Sequence, residues 1–318
     1  MKNKARRLFS WSGATSVQNE RSINMNRFAA TVGLIVLVVP LALAQTPAAS
    51  PQDPPASFYS KNTPKDLVEF EMMTWPEVYR AIHQEGKTTA LFYTGGTESR
   101  GPQDVNGGHN IMARATVKAI ALKLGNALAM PVLPYTPNDA SPQVTGTIGL
   151  TTDILALVLE RVSEEAIITG FKHIILMGDH GDGQPEVYQQ VAKKLEDKYV
   201  ALARNENRSQ DVHVYYCNDV YAKAQADFDK FLASRKLPTS SHAGIPDTSM
   251  MMYLQGKSGD YTRLDLLPAA VTVSGTVPSG VEGDGRRSSV ELGKMAFDMK
   301  VDYAVRQIRQ LTGLKPAG

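Results

Sequence analysis

The chain has 318 residues, 42% of them hydrophobic and 21% charged, and a single cysteine, Cys217. That balance suits one large or two small globular domains and excludes a coiled coil, a collagen-like repeat or wholesale disorder, while one cysteine excludes an internal disulfide and a cysteine-built zinc or iron–sulfur centre. The formal charge is +2, but six of the 34 basic and one of the 32 acidic residues fall in residues 1–44; the remaining 28 against 31 leave a body of net charge −3, without the basic face that nucleic-acid binding needs.

Arg27 precedes an apolar run over residues 28–44 that closes on Ala42-Leu43-Ala44, the order of a secretory signal peptide. Its uninterrupted apolar core is shorter than the ~20 residues of a spanning helix, and Pro40 falls near its end, which leaves a retained membrane anchor as the weaker alternative. Met25 would serve as the start of an ordinary leader. The mature chain is therefore expected to begin near Gln45, to be periplasmic or secreted, and to keep no stable membrane insertion. Residues 45–63, rich in Pro and Ala, read as a flexible tether, and residues 64–318 as a single domain.

Within that domain, Thr74-Trp75-Pro76-Glu77 has the form of a capping box opening a helix through about Gln84. Residues 88–94 (TTALFYT) read as an apolar strand that stops at Gly95-Gly96. Residues 111–129 have helical spacing, 130–133 form a short strand, and 152–169 a helix capped at Gly170. A buried strand over 173–177, a helix over 185–199, a strand over 211–216, a helix over 220–234 and a long closing helix over 289–311 follow. Short apolar strands alternating with longer amphipathic helices specify βα units around a mostly parallel sheet, an α/β fold.

Such sheets present ligands beyond the carboxyl ends of their strands, and three Gly-containing loops carry histidine beside carboxylates. The first, residues 95–110, holds Glu98, Arg100 and His109; the second is Gly178-Asp179-His180-Gly181-Asp182; the third runs from Ser241 through His242 to Asp247 and Ser249. His83, His173 and His213 fall instead at helix or strand positions. Together the loops supply imidazoles and carboxylates, the donors of zinc, manganese or iron(II). Read singly, each is as well explained as a polar turn. Glu98 and Arg100 would then be a surface pair, His109-Asn110 a helix cap, and Asp179 and Asp182 turn residues.

The order of these motifs resembles the creatininase (creatinine amidohydrolase) family over about Thr74 to Leu311. The resemblance rests on GGTE-x-x-GP, Gly146-Thr147-Ile148, LMGDHGD, HAG-x-x-DTS and Glu282-Gly-Asp-Gly-Arg-Arg-Ser-Ser-Val-Glu-Leu-Gly293. It implies a layered α/β/α fold, assembly into homo-oligomers, and metal-dependent hydrolysis of cyclic or linear amide C–N bonds in a small-molecule substrate at a two-metal centre. Carried over residue by residue, Glu98 stands at a glutamate ligand, His180 at the ligand histidine of an Asn-Gly-His motif, and Asp182 where a further glutamate ligand stands. His242 matches a water-activating or substrate-orienting histidine, and Asp247 the glutamate of Glu-Thr-Ser. Two positions depart: Arg100 replaces a ligand histidine, and His109 replaces the aspartate that bridges the metals.

A carboxylate bridges two cations with two oxygens, whereas a neutral imidazole offers one lone pair, and a guanidinium cannot ligate at all. The sequence therefore implies about one divalent metal per chain, zinc first with manganese or iron(II) as alternatives. Its ligands are Glu98, His109 and His180, with Asp182 or Asp247 completing the shell or pairing with Arg100. His242 and Asp247, with the fixed charge of Arg100, are the expected catalytic groups. Creatinine itself is not the expected substrate, because residues near Tyr216 and Asn218 offer no aromatic clamp. The rival reading is a catalytically silent metal- or ligand-binding protein on the same fold.

Overall fold

The structure, a computed structural model, describes residues 52–181, 183–207, 209–239, 242–270 and 280–313. The expected leader, the first part of the tether and Asp182 lie outside the described residues. Residues 52–63, read as the end of the tether, hold a 3-10 turn at Ala56–Phe58. They lie against the first helix: Phe58 meets the Trp75 ring edge-on, Arg80 stacks on Tyr59 at 3.7 Å, and Gln84 donates to Asp53 at 3.0 Å.

Helix α1 (Trp75–Tyr79) continues as a π turn over Arg80–Gln84, and its entry is tied by Glu77, which accepts from the backbone N–H and hydroxyl of Thr74. Strand β1 (Thr89–Thr94), helix α2 (Gly108–Leu124), β2 (Ala127–Ala129), α3 (Thr152–Thr169), β3 (His173–Gly178), α4 (Gln184–Asn205) and β4 (His213–Tyr216) follow in order. A π turn at Asp219–Lys223 leads into α5 (Ala224–Ser234), and then come α6 (Ile245–Gln255) and α7 (Val290–Thr312). The four strands form one sheet, β2-β1-β3-β4, parallel throughout. Among the described residues no helix is long and apolar enough to cross a membrane.

Alternation along the strands separates the two faces of the sheet, as a period of two requires. Ala90, Phe92, Ile174 and Leu176 pack with α1, α3 and α4, whereas Leu91, Tyr93, Ile175 and Met177 pack with α2 and α7. The result is a helix layer on each side of a sheet buried on both faces. A third apolar cluster, with Met112, Phe228, Leu232, Ile245, Met250 and Ala296, seats α5 and α6 against α2 and α7.

Four sequence expectations need correction. The helix expected over 111–129 starts at Gly108 and ends at Leu124, because Gly125 takes a left-handed conformation (φ 82°) at its end; the strand expected at 130–133 lies at Ala127–Ala129. Helix α4 extends beyond residue 199 to Asn205. The third loop is only partly a loop, since Pro246 sits in the first turn of α6, a place proline favours, and Asp247 is helical.

Candidate metal centre

Strands β1 and β3 are neighbours in register, with Thr94 opposite Gly178, so the loops that leave their carboxyl ends rise side by side. The chain passes from β2, on one side of β1, to β3, on the other. This is a switch point of the kind where open α/β sheets bind ligands. Loop one brings Glu98 and Arg100, the first turn of α2 brings His109, and loop two brings His180.

The carboxylate of Glu98 is the hub. Its Oε1 lies 2.7 Å from Nε2 of His109, and its Oε2 lies 3.0 Å from Nε2 of His180. One ligand atom from each of these three buried residues falls within 4.8 Å of the others, an arrangement that could hold a metal ion. Nε2 of His180 also faces Nδ2 of Asn138 at 3.3 Å, and that amide donates to Glu98 Oε2 at 2.7 Å. A nitrogen placed between an acceptor and a donor cannot satisfy both with one proton. A cation among the three ligand atoms resolves the conflict, because each imidazole then offers its lone pair and Glu98 its charge. The residues therefore fit a divalent metal of the borderline kind that takes nitrogen and oxygen donors.

His109 is held from behind. Its Nδ1 lies 3.3 Å from Oδ1 of Asp179, whose Oδ2 lies 3.3 Å from Nζ of Lys300 on α7. Asn110 does not cap α2. It ties the helix start to loop one instead, accepting from Gly96 N–H at 2.9 Å and donating to Thr97 Oγ1 at 3.1 Å.

Arg100 is completely buried, its Nη2 2.8 Å from Asp247 Oδ1 and its Nη1 3.4 Å from Glu98 Oε1. Glycine is required at 108, where a Cβ would come within 2.6 Å of Nε of Arg100. Of the alternatives left open for Asp182 and Asp247, the pairing of Asp247 with Arg100 is the one among the described residues. Asp247 also accepts from the Ala243 N–H at 2.7 Å and pins the turn that carries His242. That turn pairs with Glu282, and Nε2 of His242 donates to the Ser99 carbonyl at 2.8 Å. Because a carbonyl oxygen only accepts, Nε2 carries a proton, and Nδ1 lies 3.5 Å from Glu98 Oε1.

The electrostatics follow from burial and pairing. Burial alone would raise the Glu98 carboxyl, but hydrogen bonds from both imidazoles hold it well below the usual carboxylate range. Asp179 is held down against burial by Lys300, then by His109 and Arg100. Asp247 is held down by Arg100. Asp104, where burial outweighs the Arg100 charge, is pushed up to about 7. It accepts from Thr248 at 2.7 Å and links loop one to α6.

The sequence-expected residues Glu98, Arg100, His109, His180, His242 and Asp247 thus come together, while Asp182 lies outside the described residues. Asp179 and Lys300 escaped sequence reasoning. The signal for Lys300 was there: it is a lone lysine in the buried stripe Gly293, Ala296, Lys300, Ala304 and Ile308 of α7. A cavity of about 1220 Å³ opens beside the cluster, walled also by Tyr221, Phe228 and Met250.

A family model described as creatininase, creatinine amidohydrolase, matches residues 71–308. Among solved structures, the chain is similar to a tryptophan-to-phenylalanine mutant creatininase at 20% identity, with 77% of this chain and 99% of that chain covered and a TM-score of 0.59. It is also similar to a mutant creatininase of zinc–zinc type (20% identity, 77% and 98% covered, TM-score 0.57) and to a manganese creatininase (20%, 77% and 98%, TM-score 0.56). No curated protein matches.

Proposed function

This chain belongs to the creatininase family, and from that premise we propose that it is a metal-dependent amidohydrolase cleaving an amide C–N bond of a small molecule with one divalent metal per chain. The observation that carries the reading is the convergence of Glu98, His109 and His180 beside a completely buried Arg100, a three-donor set next to a fixed positive charge. A divalent cation held by the three donors supplies Lewis acidity, which acidifies water and polarises a carbonyl. Zinc is the favoured metal, with manganese or iron(II) as alternatives.

The chain's own residues do the rest. His242, protonated at Nε2 by its bond to Ser99, takes a proton at Nδ1 and hands it to the departing nitrogen. Asp247 is engaged by Arg100 and the Ala243 N–H, so it holds the His242 turn in place. Arg100 fills with permanent charge the place where a second cation would neutralise Glu98 and Asp247. The cavity is wide enough for a substrate larger than creatinine, with Tyr221 and Phe228 on its wall.

The test is hydrolysis of a panel of cyclic and linear amides by parent and Glu98→Ala protein, chelator-stripped and then restored with zinc. Activity that disappears on stripping, returns with metal and is absent from the variant supports the reading. A metal-loaded parent that cleaves no amide in the panel contradicts it and favours the silent binding protein. We further propose that the protein is exported with cleavage before Gln45 and assembles as a homo-oligomer. N-terminal sequencing and native mass measurement of protein from its host test both, and an intact residue 1–44 segment or a monomer contradicts them.

A further inference from the structure

We propose that Lys300 and Asp179 act as a positioning pair that presents His109 to the metal, so that the carboxylate absent at position 109 is regained behind it. The inference rests on the reading of Glu98, His109 and His180 as metal ligands. His180 stands at the histidine of the Asn-Gly-His motif, which puts Asp179 in the place of its glycine. The two changes are complementary. Where a carboxylate gives way to an imidazole, a carboxylate appears 3.3 Å from the far nitrogen of that imidazole.

A ligand histidine needs its lone pair on the metal side and its proton on the other, and the group that accepts that proton fixes both tautomer and ring orientation. Oδ1 of Asp179 and Nδ1 of His109 are both buried and face each other at 3.3 Å. Lys300 fixes the carboxylate in turn: its Nζ lies 3.3 Å from Oδ2 of Asp179 and donates to the Val220 carbonyl at 3.4 Å. All three side chains are buried. The line Lys300, Asp179, His109 therefore runs from α7 across the carboxyl end of β3 to the first turn of α2.

Lys300 offers a test that turns on sign. A cation near a metal site, acting by charge alone, repels the metal, so its removal should tighten binding. A cation that positions a ligand's partner should, on removal, weaken binding. Zinc affinity is measured by chelator competition, and geometry by the visible spectrum of bound cobalt(II), for the parent, Asp179→Asn, Lys300→Met, Lys300→Arg and Asp179→Asn/Lys300→Met.

The expected result is a loss of about 10- to 100-fold in zinc affinity for Asp179→Asn and for Lys300→Met, with an altered cobalt spectrum and partial recovery in Lys300→Arg. The double variant should be no weaker than the worse single one, because both act through His109. It also removes both charges at once, so it keeps a folded protein to measure if either single change leaves an unpaired buried ion that unfolds it. A double variant that binds zinc as tightly as the parent, or a folded Lys300→Met that binds it as tightly or more tightly, overturns the proposal while leaving the metal reading intact. A parent that binds no zinc overturns both.

Discussion

Replacing Arg100 with Met removes the charge but keeps much of the volume. In the parent, the buried guanidinium meets Asp247 at 2.8 Å and Glu98 at 3.4 Å. At an effective dielectric constant of about 20, the closer contact alone is an attraction of about 6 kcal/mol. Desolvation of both ions offsets much of that, and breaking a buried pair from one side costs about 3–5 kcal/mol. Because the Asp247 side chain is 19% exposed and can recover some water, the lower end applies, about 3 kcal/mol. In a domain of this size each kcal/mol shifts the melting temperature by about 2–4 °C, so Arg100→Met should melt about 6–12 °C below the parent in metal-free calorimetry. Arg100→Met/Asp247→Asn should regain at least half of that, since neither charge is then left unmatched. Added zinc should raise the melting point of Arg100→Met more than that of the parent, a cation supplying what the guanidinium supplied. A variant melting within about 1 °C of the parent would refute the view that Arg100 neutralises these carboxylates.

His242→Ala should retain its metal and lose about 10²–10⁴-fold in turnover, the range for a positioned proton-transfer group; a variant that releases its metal would make His242 a ligand. Asp104 titrates near 7 in the folded protein, against about 3.9 unfolded, so the stability it contributes is present below pH 4 and lost as pH rises through 7. Asp104→Asn, which keeps an acceptor for Thr248, should therefore exceed the parent in stability at pH 8 by about 1–3 kcal/mol and match it below about pH 4. Urea unfolding at both pH values measures the gap, and a gap independent of pH contradicts the assignment.

Strands β1 and β3 were legible as short apolar runs that stop at glycine, whereas the division of Ala90 and Phe92 from Leu91 and Tyr93 between two faces was not, because all four are apolar and buried. The sequence placed Glu98 and His180 in loops after two strands, and the pairing of those strands brings them together with His109. Local patterns failed where distant context decides. Residues 241–249 read as a glycine- and proline-containing loop, whereas Ile245–Gln255 form α6 with α7 packed alongside. Asp179 has the local look of a turn residue, and its contact is with a lysine 121 positions later on a helix that returns across the sheet. The surplus of helical spacing over residues 111–129 hid a boundary that one left-handed glycine enforces.

On the proposed reading, one cation and one guanidinium stand where a two-metal centre would hold two cations. Elemental analysis of protein purified without chelator and dialysed mildly, set against concentration from amino-acid analysis, measures it directly. About one zinc, manganese or iron per chain is expected, lost in Glu98→Ala. Two well-occupied metals per chain, about 3.5–4 Å apart in a crystal of the parent, would contradict it.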